Sequence, residues 1–306
     1  MGRIIAVVNQ KGGVGKTTTA VNLAAALAIF DKPTLLVDAD PQANTTRALG
    51  YPADPERPSV YDVFSGEASG DRLRLLYEPL PYLSVIPSER DLVGVEIELV
   101  EAEQREHRLK AFLDGERKLF DHVIIDCPPS LGLITLNALV AADAVLVPVQ
   151  AEYLALEGIS QILDTINRVR ESLNPGLAIE GVLMTMFDER TNLARQVVDE
   201  VRDVFGEVVY RTVIPRNIRL GEAPSHGQPI FLYDPRSKGA EAYRALAKEY
   251  LSNEKKGVGQ RVAQPDTGGL EAQDVAGRDV GRGDDSDSPG NERSGPAPDR
   301  RGPDLA

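Results

Sequence analysis

The chain has 306 residues, 42% of them hydrophobic, enough for one large α/β domain or two ordinary ones around a buried core. Its net charge of −13 argues against wholesale nucleic-acid binding, which draws on Lys and Arg to neutralise phosphates, but a local basic face remains compatible with it. The single cysteine, Cys127, excludes an internal disulfide and a Cys-rich metal centre within one chain, and no run approaches the ~20 apolar residues of a membrane span.

Strands and helices alternate along the chain. Residues 3–8 read as a short, fully apolar strand, too short for a signal-peptide core, so the expected place is the cytosol. The strand runs into KGGVGKTT, Lys11 to Thr18, and a helix follows over 17–29. That context suits a phosphate loop: the glycines Gly12, Gly13 and Gly15 let backbone N–H groups turn toward an anion, and the helix N-terminus adds partial positive charge. With Val14 and Thr18, these residues would line the nucleotide's phosphates. Lys16 would reach the β- and γ-phosphates, and the Thr17 hydroxyl would take a position on Mg²⁺. The pattern G-x-x-x-x-G-K-[ST] has Gln10 where its first glycine belongs, and an extra lysine stands at Lys11.

A second buried strand, 34–37, runs into DADPQAN, which puts Asp38 and Asp40 at a strand's C-terminal end, where open α/β sheets gather ligand chemistry. Residues 51–81 read as irregular, 83–86 as a strand and 92–113 as one long, charged amphipathic helix. The next strand, 123–125, is closed by Asp126 in VIIDCPPS, the arrangement of a metal-holding Walker B carboxylate. Cys127 beside it reads as a small core-edge residue. Strands at 144–149 and 179–186 and helices at 154–173, 192–205 and 240–250 complete the pattern. Continuous apolar strands between helices predict a P-loop NTPase-like, doubly wound α/β fold, its mainly parallel sheet covered by helices on both faces. The segment VIPRN, 213–217, reads either as a strand-end turn or as a base site, with Pro215 a flat wall and Asn217 an amide for adenine edges.

After residue 253 Gly, Pro, Asp, Arg and Ser dominate, so the chain divides into a globular domain, 1–253, and a tail, 254–306, expected to be disordered. That tail carries 11 acidic and 8 basic residues, a net −3 of the total −13, which leaves about −10 on the globular part.

The variant loop K-G-G-x-G-K-[ST], the D-x-D-P-Q segment and the residues from Met184 to Ser225 together resemble the ParA/Soj proteins of the MinD/ParA superfamily of dimerising ATPases. The resemblance covers about residues 1–252. It implies ATP and Mg²⁺ as ligands, slow partner-stimulated hydrolysis and an ATP-bound homodimer in which Lys11 reaches across to the partner's nucleotide. It further implies that Asp40 positions the attacking water, that Asp38 supports the metal shell beside Asp126, and that Pro215 and Asn217 bracket the base. Arg190 and Arg219 would contact phosphates of double-stranded DNA without reading sequence, although the residues around them alone read as a salt-bridged, solvated surface. A ParB-like protein would be the stimulating partner, chromosome (origin) segregation the task, and the nucleoid the cytoplasmic address. Positioning of another cargo on the nucleoid is the alternative. A MinD-like membrane ATPase fits less well, because the Gly-, Pro- and Asp-rich end offers no apolar face to a bilayer.

Overall fold

In a parallel sheet covered on both faces, each strand must be apolar on both sides, and β1 (Arg3–Val7) meets that demand. Ile4 and Ala6 belong to one hydrophobic cluster, Ile5 and Val7 to the other, one on each face of the sheet. The same alternation runs through β2 (Thr34–Asp38), with Leu35 and Val37 opposed to Leu36. The sheet is completed by β3 (Leu75–Leu76), β4 (Leu83–Ile86), β5 (His122–Asp126), β6 (Ala144–Gln150) and β7 (Ala178–Thr185) in the order β3-β4-β2-β5-β1-β6-β7. All pairings are parallel except that of β3 with β4. Helices Lys16–Ile29 and Lys238–Lys256 cover one face; Val60–Ser65, Arg108–Glu116, Leu133–Ala141, Ala155–Ser172 and Asn192–Phe205 cover the other. The doubly wound architecture expected from the sequence is therefore present. This computed structural model describes residues 1–152 and 155–256, which belong to one compact unit.

Three expectations change. The helix expected over 92–113 is broken into a 3₁₀ turn (Arg90–Gly94), a short helix (Val95–Glu98), a second turn (Arg105–His107) and the helix Arg108–Glu116. Its physical cause is a rival for the backbone: the Asn137 side chain donates to the Arg105 carbonyl at 2.8 Å and accepts from the Leu109 amide at 3.2 Å, and Gln104 takes a left-handed φ of 52°. A helix cannot run through those positions. The stretch 51–81 is less irregular than expected. Ser59 and Asp62 form a reciprocal capping box that starts Val60–Ser65, and Leu75–Leu76 closes the sheet edge. Finally, the last helix continues through Lys256, past the division expected at 253; the remainder of the expected tail lies outside the described residues.

That last helix is held by polar contacts made from buried aromatic side chains. Tyr243 shares a hydrogen bond with Thr19 at 3.1 Å, and the Tyr250 hydroxyl lies 3.0 Å from Nδ1 of His122, at the start of β5. Burial, with Lys32 and Arg3 nearby, pulls His122 down to about 4. The unfolded chain takes up this proton near the ordinary pKa of about 6.5, so stability is complete above that pH and is lost as pH falls toward 4. Urea denaturation at pH 7 and pH 5 should show wild type losing about 2 kcal/mol more than His122→Gln, whose side chain does not titrate. Equal losses in the two proteins would show that His122 is not held neutral.

Candidate active site

The register of the central strands decides which side chains meet. Val7 of β1 pairs with Asp126 of β5, and Asp126 pairs in turn with Asp38 of β2, so three strands end in one row. The chain leaving β1 forms the loop Lys11–Gly15, in which Gly13 and Gly15 have φ of 76° and 88°, a region open to glycine at no steric cost. Gly12 stands exposed and Val14 is buried. The helix Lys16–Ile29 begins at Gly15 without a side-chain cap, so its first amides face the loop with no partner of that kind. An anion is what such an end receives.

Neighbouring strands pin the loop. Asn9 accepts from the Lys11 amide at 2.9 Å and donates to the Pro148 carbonyl on β6 at 2.7 Å; the Thr185 hydroxyl, ending β7, donates to the Val14 carbonyl at 2.8 Å. The Lys16 ammonium is buried and donates to the Lys11 carbonyl at 3.1 Å. Burial pulls its pKa down, and Asp126 and Asp40 act in the opposite direction. The Lys11 ammonium, half exposed, points away from this cradle and pairs with Glu152 at 2.7 Å.

The two strand-end carboxylates are engaged differently. Asp38, fully buried, accepts from the Thr46 amide and hydroxyl at 2.8 and 2.6 Å, and from the Asp40 amide at 3.2 Å. Both of its oxygens are occupied by the loop that carries Asp40. Asp126 accepts from the hydroxyls of Thr17 and Thr45, each at 2.8 Å, on one oxygen only; its Oδ1 is buried with no partner. Burial pushes both carboxyls well above the ordinary range, and their mutual proximity adds to the rise at Asp38. Asp40 accepts from the Gln42 amide at 2.9 Å and is close enough to Asp126 to raise it further. An unpartnered buried carboxylate oxygen beside a threonine hydroxyl is a donor set fitted to a hard divalent cation, so Asp126 and Thr17 are the residues able to hold Mg²⁺.

A cavity of about 280 Å³ opens beside the loop, lined by Gly15, Thr18, Met186, Pro215, Asn217 and Tyr243 among others. The Pro215 segment reaches it because Phe187, just beyond β7, bridges to Pro215. Asn217 Oδ1 accepts from the Arg219 amide at 2.9 Å, capping the helix Ile218–Glu222, which leaves its amide nitrogen as the available polar group. Met186 holds a φ of 51° at the cavity wall. The structure thus brings together the loop, Asp38, Asp40, Asp126, Pro215 and Asn217.

Arg190 and Arg219 are exposed elsewhere, each beside carboxylates: Arg190 with Asp188 at 2.6 Å, Arg219 with Glu222 at 2.8 Å and Asp234 at 3.5 Å. The hydrogen bonds from Arg190 hold Asp188 well below the usual carboxylate range. Cys127 is buried, with its thiol pushed up by desolvation, and packs as a core-edge residue. Sequence reasoning missed Asn9, Thr45, Thr46, Glu152 and Thr185. The pair of threonines five and six residues beyond Asp40 was a readable signal, since hydroxyls there can bond strand-end carboxylates; the other three become neighbours only through strand order.

Known proteins resemble this chain over most of its length. A family model described as an AAA domain matches residues 2–179. The sporulation initiation inhibitor protein Soj of Bacillus subtilis is 56% identical over 254 residues, covering 83% of this chain and 100% of that protein. The chromosome partitioning protein ParA of Myxococcus xanthus is 52% identical over 254 residues, 83% of this chain and 89% of that one. Among solved structures, a cobyrinic acid a,c-diamide synthase from Mycobacterium smegmatis with bound ATP analogue and magnesium is 38% identical at a TM-score of 0.74, covering 86% of this chain and 100% of that one. The cell division ATPase MinD of Pyrococcus furiosus is 29% identical at a TM-score of 0.69, covering 82% and 99%. With a matched AAA-domain model and identities above one half over 254 residues, the chain belongs to the ParA/Soj family of ATP-hydrolysing P-loop proteins.

Proposed function

We propose that this chain is a partitioning ATPase that dimerises on ATP, holds nucleoid DNA through its phosphates and is driven to hydrolyse ATP by a ParB-like partner, moving a chromosome origin. The observation that carries the reading is Lys11. A second lysine in a phosphate loop that already has Lys16 contributes nothing obvious within one chain, and it stands half exposed on Glu152. A surface pair of this kind is worth about 1 kcal/mol or less, so Lys11 is free to exchange Glu152 for a phosphate carried by a second copy.

In this scheme Gly12, Gly13, Val14, Gly15 and Thr18 cradle the phosphates, Lys16 neutralises them, and Pro215 and Asn217 bracket the base. Thr17 and Asp126 hold Mg²⁺ with Asp38 supporting, and the ion when bound neutralises charge on the phosphates. Asp40 orients the attacking water, and Asp38, through the Thr46 hydroxyl and the Asp40 amide, fixes the loop that presents it. The apolar face of the last described helix, with Tyr243, Leu246 and Tyr250, is packed into the core, and the chain end on which a MinD-like reading turns lies outside the described residues. Among the described residues no helix is long and apolar enough to cross a membrane.

Lys16→Ala should abolish nucleotide binding, whereas Lys11→Ala should bind ATP yet remain a monomer in sedimentation with ATP and Mg²⁺. Normal dimerisation of Lys11→Ala would remove the in-trans role.

Removing only the water-orienting group lowers turnover without lowering ground-state binding. Asp40→Ala should therefore bind ATP and dimerise, with partner-stimulated phosphate release down by about 10²-fold or more. Full stimulated turnover in this variant would count against the assignment.

DNA binding should be indifferent to sequence and steeply weakened by salt, each neutralised phosphate contributing roughly −0.9 to the slope of log K against log salt. With two copies per dimer, Arg190→Ala should flatten that slope by about two, and Arg219→Ala similarly. Anisotropy titrations of an unrelated duplex over a salt series measure it. An unchanged slope would return Arg190 to a solvated pair with Asp188.

A further inference from the structure

Residues 90–103 satisfy the core and then present a second apolar face. Leu92 and Val95 are buried, and Leu99 packs against the same cluster. Val93, Ile97 and Val100, however, are 60%, 78% and 57% exposed. The three form a short exposed apolar stripe along the chain, Val93 in the 3₁₀ turn, Ile97 in the helix Val95–Glu98 and Val100 just beyond it. Scattered exposed aliphatics are ordinary; three β-branched ones aligned on a single segment are not. The stripe is edged with exposed carboxylates, Asp91, Glu96, Glu98, Glu101 and Glu103, against two basic residues, Arg90 and the partly exposed Arg105, which donates to the Val100 carbonyl at 2.7 Å. Glu103 also stands on the rim of a cavity of about 600 Å³ between the helices Val60–Ser65 and Arg108–Glu116, with Val63, Ala68 and Phe112 in its wall.

We propose that this acid-edged stripe is the docking surface for a basic, amphipathic segment of the stimulating partner, an inference that rests on the partner reading above. Charge selects the occupant. DNA is repelled by five carboxylates. A second copy placed on the stripe by a two-fold axis would set the same carboxylates against each other. Residues 257–306 of this chain hold 10 acidic and 6 basic residues with scattered aliphatics, so they match neither the stripe nor its rim. A helix or strand with apolar residues on one side and Lys or Arg flanking them matches both.

The surface also adjoins the chemistry. Glu96 lies so close to Gly132 that a Cβ at that glycine would have no room. Gly132 ends the loop that begins at Asp126, and Leu131 in the same loop is 43% exposed. A cation captured beside Ile97 therefore bears on the segment leading to the metal-holding carboxylate, which gives a partner a short route to the hydrolytic step.

The test uses the full chain, the full-length ParB-like protein of the same genome and a labelled peptide of its first ~20 residues, a rough length for a disordered terminal segment. Peptide anisotropy with ATP present, phosphate release with and without partner, and thermal melting are measured for wild type, Val93→Ser/Ile97→Ser/Val100→Ser and Glu101→Lys/Glu103→Lys. Each variant should bind the peptide about tenfold or more weakly and lose most of the stimulation, with melting and unstimulated turnover unchanged. Replacing the peptide's Lys and Arg by Glu should restore binding to the Glu→Lys variant alone. Wild-type affinity and stimulation in both variants overturn the docking surface and leave the partner reading intact. Absence of binding and stimulation with the wild-type chain overturns the partner reading, and the docking surface with it.

Discussion

Two carboxylates lie side by side in the middle of the sheet because Asp38 and Asp126 occupy paired positions on adjacent parallel strands. Everything at the site answers that juxtaposition. Like charges withdrawn from water are unfavourable unless hydrogen bonds or a cation compensate. The protein compensates the two differently. Asp38 is fully used by the Thr46 hydroxyl and two amides, and becomes the anchor of the loop bearing Asp40. Asp126 keeps one buried oxygen without a partner. The charge count then matters: Asp38, Asp40 and Asp126 lie around the buried ammonium of Lys16, and the excess of negative charge is one that a divalent cation can relieve.

The loop after β2 is held by Thr45 on Asp126 and Thr46 on Asp38, so it touches both carboxylates. Thr17 and Thr45 donate to the same oxygen of Asp126, each at 2.8 Å. Any cation that takes the Thr17 hydroxyl changes the balance on that oxygen, and the change is felt in the loop that carries Asp40. A coupling of this kind needs no rearrangement of the sheet, only an exchange among three hydroxyl and carboxylate groups. The strain at Ala43, with φ of 51°, lies in the same loop.

The acidity of the chain also becomes intelligible from where charges are paired. Arg190 and Arg219 are each matched to carboxylates in the isolated chain, so neither adds an unopposed positive field. Dense DNA phosphate can compete for them where a single surface carboxylate is the rival, and doubling the face in a dimer multiplies that competition. Under the proposed function, the acidic stripe at residues 90–103 is a separate region with a different kind of partner, so one net-negative chain would accommodate both a phosphate-binding face and a cation-binding face.

Much was legible in the amino-acid order alone. The phosphate loop, the strand-end aspartates and six of the strands are carried by short-range patterns: glycines where φ must be positive, apolar runs where both faces are covered, and a carboxylate closing two of those runs. Local chemistry sets these, so local sequence reveals them. The helix expected over 92–113 failed because Asn137, distant in the chain, takes the backbone partners at Arg105 and Leu109. Nothing local announces such a rival. The pairing of Lys11 with Glu152, the pinning of the loop by Asn9 and Thr185, and the union of Pro215 with the loop's far end were decided by strand order and register. These contacts join residues scores of positions apart, and only the tertiary arrangement of β5, β1, β6 and β7 makes them neighbours.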